Sequence, residues 1–393
     1  MRIVYAFDNR VPSPQADTEQ LVNNLSALSR RGLQVTLLLP RLGKEHAAED
    51  IRRFYRVEGS FDVAYFASPR LPRVAQKIWS AVAVALRRES SDLLYTRNLP
   101  VALGALLRGD TVVYETYRPW PDHYPALRPL LRRMFRSPRF VGAILHSELA
   151  MQSFLRLGVS EDKLLVAHNG FDPRRLEPVL DIRAARAKLG LPLDRPVVVY
   201  TGRVDANKGL DSILQMARQC PDLLFLLVGA KQPDAFTTAA EKVDNVRLIP
   251  WKSYDEISDW LYAADVLLVP LGPDPLERRR ATVLPMKLFS YLAAGRPILA
   301  RDTGDLREIL RDGENALLIP PHDIDAAVAG LRRLVEDRAL RERLSANARQ
   351  TSRAHTWDAR AERIHRFLAK RLPKLAQEPS SVIEDSPRAG GTL

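Results

Sequence analysis

Two cations five positions apart, Arg203 and Lys208, stand between Gly202 and Gly209. An apolar run, 197–200, leads into them, and Leu210, Ile213, Leu214 and Ala217 follow at helical spacing. That order predicts a strand, a loop and a helix. Glycines let backbone approach a ligand closely, and a helix N-terminus adds partial positive charge. An arginine there forks onto phosphate oxygens, and a lysine supplies a mobile point charge. The chemistry this favours is neutralisation of a diphosphate. No Gly-Lys-Ser/Thr closes the loop as in a nucleoside-triphosphate site, and no Gly-x-Gly-x-x-Gly is present. Taken alone, the two cations equally fit a solvated loop.

Other constellations carry less. Asp323-Ile324-Asp325 has the spacing of a metal-binding DxD pair, but an apolar-periodic helix follows, which favours N-capping. No Cys/His cluster has zinc spacing, and no Gly-x-Ser-x-Gly elbow occurs. Over 126–139, Leu127, Leu130, Leu131, Met134 and Phe135 recur at helical spacing among Arg128, Arg132, Arg133, Arg136 and Arg139, with no acid. Such a helix fits an anionic membrane surface, or equally a core-facing helix with a solvated arginine face. Arg278-Arg279-Arg280 reads either as a guide for an anionic ligand or as loop charge.

The elements that must position these residues alternate between strand and helix twice over. Apolar strands are expected at 3–7, 35–39, 63–66, 93–96, 112–115, 143–146 and 164–167, with helices at 18–30, 73–88, 99–107 and 147–157. A connector rich in Pro and charge occupies 173–195. Strands at 197–201, 223–228, 246–249, 266–270, 298–300 and 316–319 then repeat the logic. Helices are expected at 211–219, 254–263, 285–294, 305–310, 324–337, 339–349 and 356–372. Near-continuous apolar strands mean parallel sheets buried on both faces. The expected fold is α/β, with two Rossmann-like doubly wound domains facing across a cleft: an N-terminal domain over 1–172 and a C-terminal domain over 196–355. The helix 356–372 is expected to pack back on the first domain, and the tail 373–393 to be disordered.

At 393 residues and 46% hydrophobic content the chain supports sizeable cores. Its net charge of +12 is uneven, because residues 1–175 carry 26 Lys and Arg against 17 Asp and Glu. Such a field favours anionic partners, yet no nucleic-acid-binding motif is present, so nucleic acid is not expected. The start reads as a first strand rather than a leader, and no apolar run reaches the ~20 residues of a spanning helix. The single Cys220 fits a reducing cytoplasm.

Taken in order, several segments resemble the retaining glycosyltransferases of family 4, with the GT-B fold. They are Gly202-Arg203 with Lys208-Gly209, His168-Asn169-Gly170-Phe171-Asp172, 285–297, 302–310, Asp312-Gly313-Glu314-Asn315 and the helix opening at Thr356-Trp357. The resemblance covers nearly all of 1–371. It implies transfer of a sugar from a nucleotide-diphosphate donor, held by the C-terminal domain, to a glycan, lipid-linked or small-molecule acceptor. No cofactor and no metal are implied, because Arg203 and Lys208 would neutralise the departing diphosphate, a task other enzymes give to a metal ion. Asn169 and Gly170 form the turn expected near the donor, and the helix opening at Met286 and Lys287 would direct backbone amides at it.

The family usually carries two glutamates eight positions apart; here those positions read Thr282 and Ser290, with Glu277 in the same loop as a substitute. Its frequent "YExH" step reads Tyr114-Glu115-Thr116-Tyr117, so a phenol stands for the imidazole and His123 becomes the nearby general-base candidate. Asp17, Glu115 and Tyr117 are the acceptor-side candidates. The loop 9–17 lacks the family's paired glycines. These departures leave open a non-catalytic GT-B binding or scaffold protein and a sugar-nucleotide epimerase. A cytoplasmic protein, peripheral on the inner face of a membrane through Arg128, Arg132, Arg133 and Arg136, completes the expectation.

Overall fold

The computed structural model describes residues 1–87, 91–253, 256–272 and 284–372. Seven strands form the first sheet: β1 (Arg2–Ala6), β2 (Gln34–Pro40), β3 (Asp62–Phe66), β4 (Leu93–Thr96), β5 (Val112–Thr116), β6 (Phe140–Leu145) and β7 (Leu164–Val166). Their order is β3-β2-β1-β4-β5-β6-β7. Six form the second: β8 (Val197–Val204), β9 (Leu224–Ala230), β10 (Val246–Pro250), β11 (Val266–Leu268), β12 (Ile298–Arg301) and β13 (Leu317–Ile319), in the order β10-β9-β8-β11-β12-β13. Within each sheet the chain runs outward to one edge, then crosses back and continues on the other side of the first strand. That reversal marks a switch point at the carboxyl ends of β1 and β8, where doubly wound sheets take ligands.

The second sheet shows why the sequence reads as it does. Val197 and Val199 pack on one face with Leu288, Tyr291 and Leu292. Val198 and Tyr200 pack on the other with Ile213, Leu214 and Leu331. Alternate residues of β8 thus enter two different cores, and a strand covered on both faces must be apolar throughout.

By internal contacts the chain forms two compact units. One holds Met1–Glu115, Met134–Ala143 and the residues from Ala361; the other holds Thr116–Arg133 and Ile144–Arg360. In the first, the final turns of the helix Trp357–Ala369 bury Ala361, Ile364 and Leu368, and Glu362 pairs with Arg31 at 3.3 Å.

All the expected strands are present, with shifts at their ends. Several helical details differ, among them the unexpected short helices Trp120–His123 and Ala235–Ala240. The connector contains a helix, Ile182–Leu189, capped by Asp181 and ended by Gly190 in the left-handed region. Its Pro-rich and charged flanks hid those signals, and Arg186 is buried against Asp265 and the Ala263 carbonyl. The helix Ala48–Tyr55 was not expected, because only Ile51 and Tyr55 face inward. The helix expected at 305–310 is only a 3-10 turn, Leu306–Glu308. Gly304 and Gly313 leave too few residues for a helix to propagate.

Candidate active site

Gly202 ends the regular part of β8, at the switch point of the second sheet. Its φ of +129° is one that side chains rarely adopt. A methyl group built on it would also stand 2.7 Å from Lys287 Nζ and 3.3 Å from Tyr200 Oη. The Lys287 ammonium lies 3.8 Å from the centre of the Tyr200 ring, a cation–π contact. Tyr200 is buried, and its hydroxyl donates to the Arg203 carbonyl at 3.1 Å. So the ring that carries the cation also shapes the loop that carries Arg203.

The loop has further ties. Arg203 Nε pairs with Asp205 Oδ2 at 2.6 Å, yet its side chain remains 56% exposed, free to exchange that carboxylate for a ligand. Asp205 accepts from the Asn207 amide, and Asp234 accepts from the Ala206 amide at 2.7 Å. Lys208 closes the 3-10 turn Ala206–Lys208, and Gly209 follows in the left-handed region. Behind the loop, Thr201 donates both its amide (2.8 Å) and its hydroxyl (3.2 Å) to Tyr291 Oη. Burial pushes the Tyr291 phenol up to about 12, so it stays neutral and hydrogen-bonded at physiological pH. Tyr291 shares the helix Lys287–Ala294 with Lys287 and with Ser290, which is half-buried. One helix therefore supplies both the cation beside Gly202 and the phenol that anchors Thr201.

The turn at Asn169 and Gly170 is held differently. Phe171 and Thr356 form a parallel bridge, with Phe171 N donating to the His355 carbonyl at 3.1 Å. A side chain on Gly170 would collide with the backbone of Thr356 and Trp357 at 2.6–2.8 Å. Asn169 is buried, and its Oδ1 has no hydrogen-bond partner in the structure. Such an orphaned acceptor is uncommon and marks a place for a donor group. Beside it, His168 Nε2 is 2.9 Å from Glu308 Oε2, while the amides of Glu148 and Leu149 donate to the same carboxylate at 2.8 and 3.1 Å. Glu308 thus completes the N-terminus of the helix Glu148–Arg156. Rings continue the path, His168 to His355 at 5.9 Å and His355 to Phe289 at 5.4 Å.

A second cluster lies at the carboxyl ends of β1, β4 and β5. Glu115 is fully buried; Tyr5 Oη donates to it at 3.2 Å, Gln20 Nε2 at 2.9 Å and Arg97 Nη2 at 3.0 Å. Burial opposes the charge on Arg97, but Glu115 beside it raises the guanidinium above its ordinary value. The other arm of Arg97 reaches the Asp17 carbonyl at 3.3 Å, while the Asp17 side chain is exposed. Arg97 therefore joins two of the acceptor-side candidates. Tyr117, the third, is half-buried, 6.3 Å from His146 and hydrogen-bonded by Arg118.

The structure thus gathers Gly202, Arg203, Lys208 and Lys287 around one loop, with Met286 preceding Lys287. His123 ends the short helix Trp120–His123 with its ring 6.1 Å from Tyr124. Thr282 and Glu277, with Arg278-Arg279-Arg280, lie outside the described residues. Asp323 accepts from the Ala326 amide at 2.8 Å and caps a helix. In the basic helix Arg128–Arg136, Leu131, Met134 and Phe135 are buried, so most of its apolar face is core. Arg132, Arg133 and Arg136 are exposed, as is Arg128, which pairs with Asp122 at 3.4 Å. Sequence reading missed Tyr200, Tyr291, Arg97 and Glu308. Tyr200 sits directly ahead of the glycine-cation motif and was legible as a candidate; the other three lie outside it and read as ordinary strand-end or helix residues.

This geometry is that of a doubly wound α/β protein with an anion-receiving loop at a switch point. Residues 181–351 match the family described as glycosyl transferases group 1, and residues 19–175 match glycosyltransferase family 4. The two matches lie one in each half and together take in most of the chain, which is similar to glycosyltransferases over both halves. Similar curated proteins include the D-inositol 3-phosphate glycosyltransferase of a Nocardioides species, 30% identical over 216 residues that make up 49% of this chain and 45% of the relative. That of Thermomonospora curvata is 32% identical over 197 residues, 46% of this chain and 44% of the relative. The chain spans about half the length of the curated relatives it matches. Among solved structures, Anabaena HepE in complex with UDP-glucose aligns with a TM-score of 0.69 at 19% identity, covering 94% of this chain and 100% of that one. Sucrose-phosphate synthase from Thermosynechococcus elongatus aligns at 0.73 and 18%, covering 94% and 98%. At these identities the likeness is one of fold, and the fold is GT-B.

Proposed function

We propose that this protein transfers a sugar from a nucleotide-diphosphate donor to a glycan, lipid-linked or small-molecule acceptor, with retention at the anomeric carbon and without a metal. The observation that carries the reading is Lys287 beside Gly202 at the carboxyl end of β8, against the loop that also bears Arg203 and Lys208. As the bond from the anomeric carbon to the diphosphate breaks, its electron pair passes to the diphosphate oxygen. Lys287, already beside Gly202, and Arg203, once it exchanges Asp205 for the ligand, stabilise that charge, the work a metal ion does elsewhere. Gly202 supplies close backbone approach. Asn169, with its unpartnered Oδ1, is suited to accept from a sugar or ribose hydroxyl. The D-inositol 3-phosphate glycosyltransferases and the UDP-glucose complex of HepE support a nucleotide-sugar donor. On the acceptor side, Asp17, Glu115 and Tyr117 are retained as candidates, with Glu115 in a positioning role because it is sealed beneath Arg97.

A second reading rests on a specific departure. Thr282 and Ser290 stand where two carboxylates are usual, which fits a GT-B binding protein that no longer cleaves its donor. Thermal-shift screening against nucleotide diphosphates and their sugars with EDTA present, followed by donor-cleavage assays, separates the two. A shift with cleavage supports transfer; a shift without cleavage supports the binding protein; conversion of the donor with no acceptor present supports an epimerase. In the cleaving enzyme, Arg203→Ala is expected to lower turnover by ~10²–10³, the scale of losing one preorganised charge-stabilising donor. Unchanged turnover would remove Arg203 from the site.

A further inference from the structure

The helix Arg73–Ala85 has its amphipathicity reversed. The side facing the protein is formed by Gln76, Ser80 and Val84, which are 6%, 1% and 1% exposed. Outward lie Val74, Ile78 and Val82, at 74%, 56% and 45%, extended by Leu71 before the helix and Leu86 after it, at 39% and 75%. Trp79, 37% exposed, borders this stripe, and its indole N–H donates to the Ala67 carbonyl at 2.9 Å. At 100° per residue Val74, Ile78, Val82, Leu86 and Trp79 share one face, with Leu71 exposed just ahead of Pro72, and no polar side chain interrupts it. An ordinary surface helix turns its polar residues to water and its apolar ones to the core. Here Gln76 is held inside by Ser68 at 2.6 Å, so the register is fixed by a hydrogen bond.

Along the segment that carries this face the charges have one sign. From Val63 to Arg88 the sequence holds Arg70, Arg73, Lys77, Arg87 and Arg88 and no acid. Arg70 is exposed and Lys77 half-buried beside the stripe, while Arg87 pairs with Asp110 at 3.3 Å. A contiguous apolar stripe bordered by cations, with an indole at its margin, is the pattern of a helix lying in the plane of an anionic bilayer surface. We infer that the helix Arg73–Ala85 docks this protein on anionic lipid through Leu71, Val74, Ile78, Val82 and Leu86. The cation excess selects lipid over a second copy of the chain, because two such faces would bring like charges together. The basic helix Arg128–Arg136 is a weaker anchor, since its apolar residues Leu131, Met134 and Phe135 are already in the core. Among the described residues no helix is long and apolar enough to cross a membrane. The docking does not depend on the transfer reaction.

The test is co-sedimentation of the full chain with phosphatidylcholine vesicles and with vesicles containing phosphatidylglycerol. Wild type is compared with Ile78→Ser/Val82→Ser and with Arg132→Gln/Arg133→Gln/Arg136→Gln. Both substituted serines would be exposed, and circular dichroism with a thermal melt verifies folding. Binding to the anionic vesicles should exceed that to phosphatidylcholine by tenfold or more and fall by about tenfold in the Ile78/Val82 variant. The arginine variant should lose less than the Ile78/Val82 variant. No binding by wild type, equal binding to both vesicles, or binding that survives loss of Ile78 and Val82 but not of the arginines would overturn the inference. So would a dimer in sedimentation velocity that the Ile78/Val82 variant abolishes while vesicle binding is unchanged.

Discussion

The Lys287 ammonium rests 3.8 Å from the centre of the Tyr200 ring, on the side where Gly202 has no side chain. Lys287 is far downstream of the loop it serves, on the first turn of the helix Lys287–Ala294. The contact stores a cation at the mouth of β8 while half-buried, and the ring's negative face offsets part of the lost hydration. Replacing Tyr200 by leucine would keep the core filled and release both the ammonium and the Arg203 carbonyl.

Lys287→Ala is expected to lower kcat/KM for the donor by about 10–100-fold, the loss of one charge-assisted contact to phosphate. Lys287→Arg should restore only part of it, because a planar fork replaces the compact ammonium that sits beside Gly202 and the Tyr200 ring. Steady-state kinetics on both variants decide the point. An alanine variant equal to wild type would place Lys287 outside the donor site.

Tyr291→Phe leaves the Thr201 amide without its acceptor in a buried position. A loss of about 1–3 kcal/mol in urea unfolding is expected, the desolvation cost of an unsatisfied donor. The same variant should alter the alkaline limb of the stability profile. The folded-state phenol titrates at about 12, above its unfolded value of ~10, so its contribution is complete below pH 10 and disappears as pH rises through 12. Tyr291→Phe should therefore show a shallower decline in that window by about one proton. An identical slope would show that burial does not raise the Tyr291 phenol above its unfolded value.

Glu308→Ala removes the carboxylate shared by His168 and by the amides of Glu148 and Leu149. The expected cost is about 1.5–3 kcal/mol, the range for hydrogen bonds to a charged group. Hydrogen exchange localises the effect: protection at Glu148 and Leu149 should fall while protection in β8 and β9 is retained. A uniform loss over the second unit would assign Glu308 a global role instead.

Glu115→Ala strands the Arg97 guanidinium, and a loss of about 3–5 kcal/mol is expected from breaking a buried pair. Replacing Glu115 and Arg97 together by glutamine and methionine should recover part of that loss. If the double variant is stable but fails to use acceptor while still binding donor, the pair positions the acceptor side. If it transfers normally, the pair is structural.

Thirteen strands and the main helices were legible because each carries its own period. A strand covered on both faces is apolar throughout, as at Val197–Tyr200, and a helix shows its buried stripe, as at Leu210, Ile213, Leu214 and Ala217. The helix Ile182–Leu189 was hidden although Asp181 and Gly190 cap it, because prolines and charges around it resemble a linker. Helix existence is a local property, but the burial of Arg186 against Asp265 depends on a partner 79 positions away.

The sequence by itself determined the fold, two doubly wound sheets, and the cations Arg203 and Lys208 beside Gly202, since backbone freedom and charge are written in residue type. Tertiary structure decided which distant residues join them: Lys287 against Tyr200, Tyr291 beneath Thr201, Glu308 on His168. Long-range contacts follow from how strands order and helices cross, which no local pattern encodes. The same holds for the outward face of Arg73–Ala85. The sequence predicts a helix there but not which face is buried; packing placed Gln76 and Ser80 inside and Val74, Ile78 and Val82 in solvent.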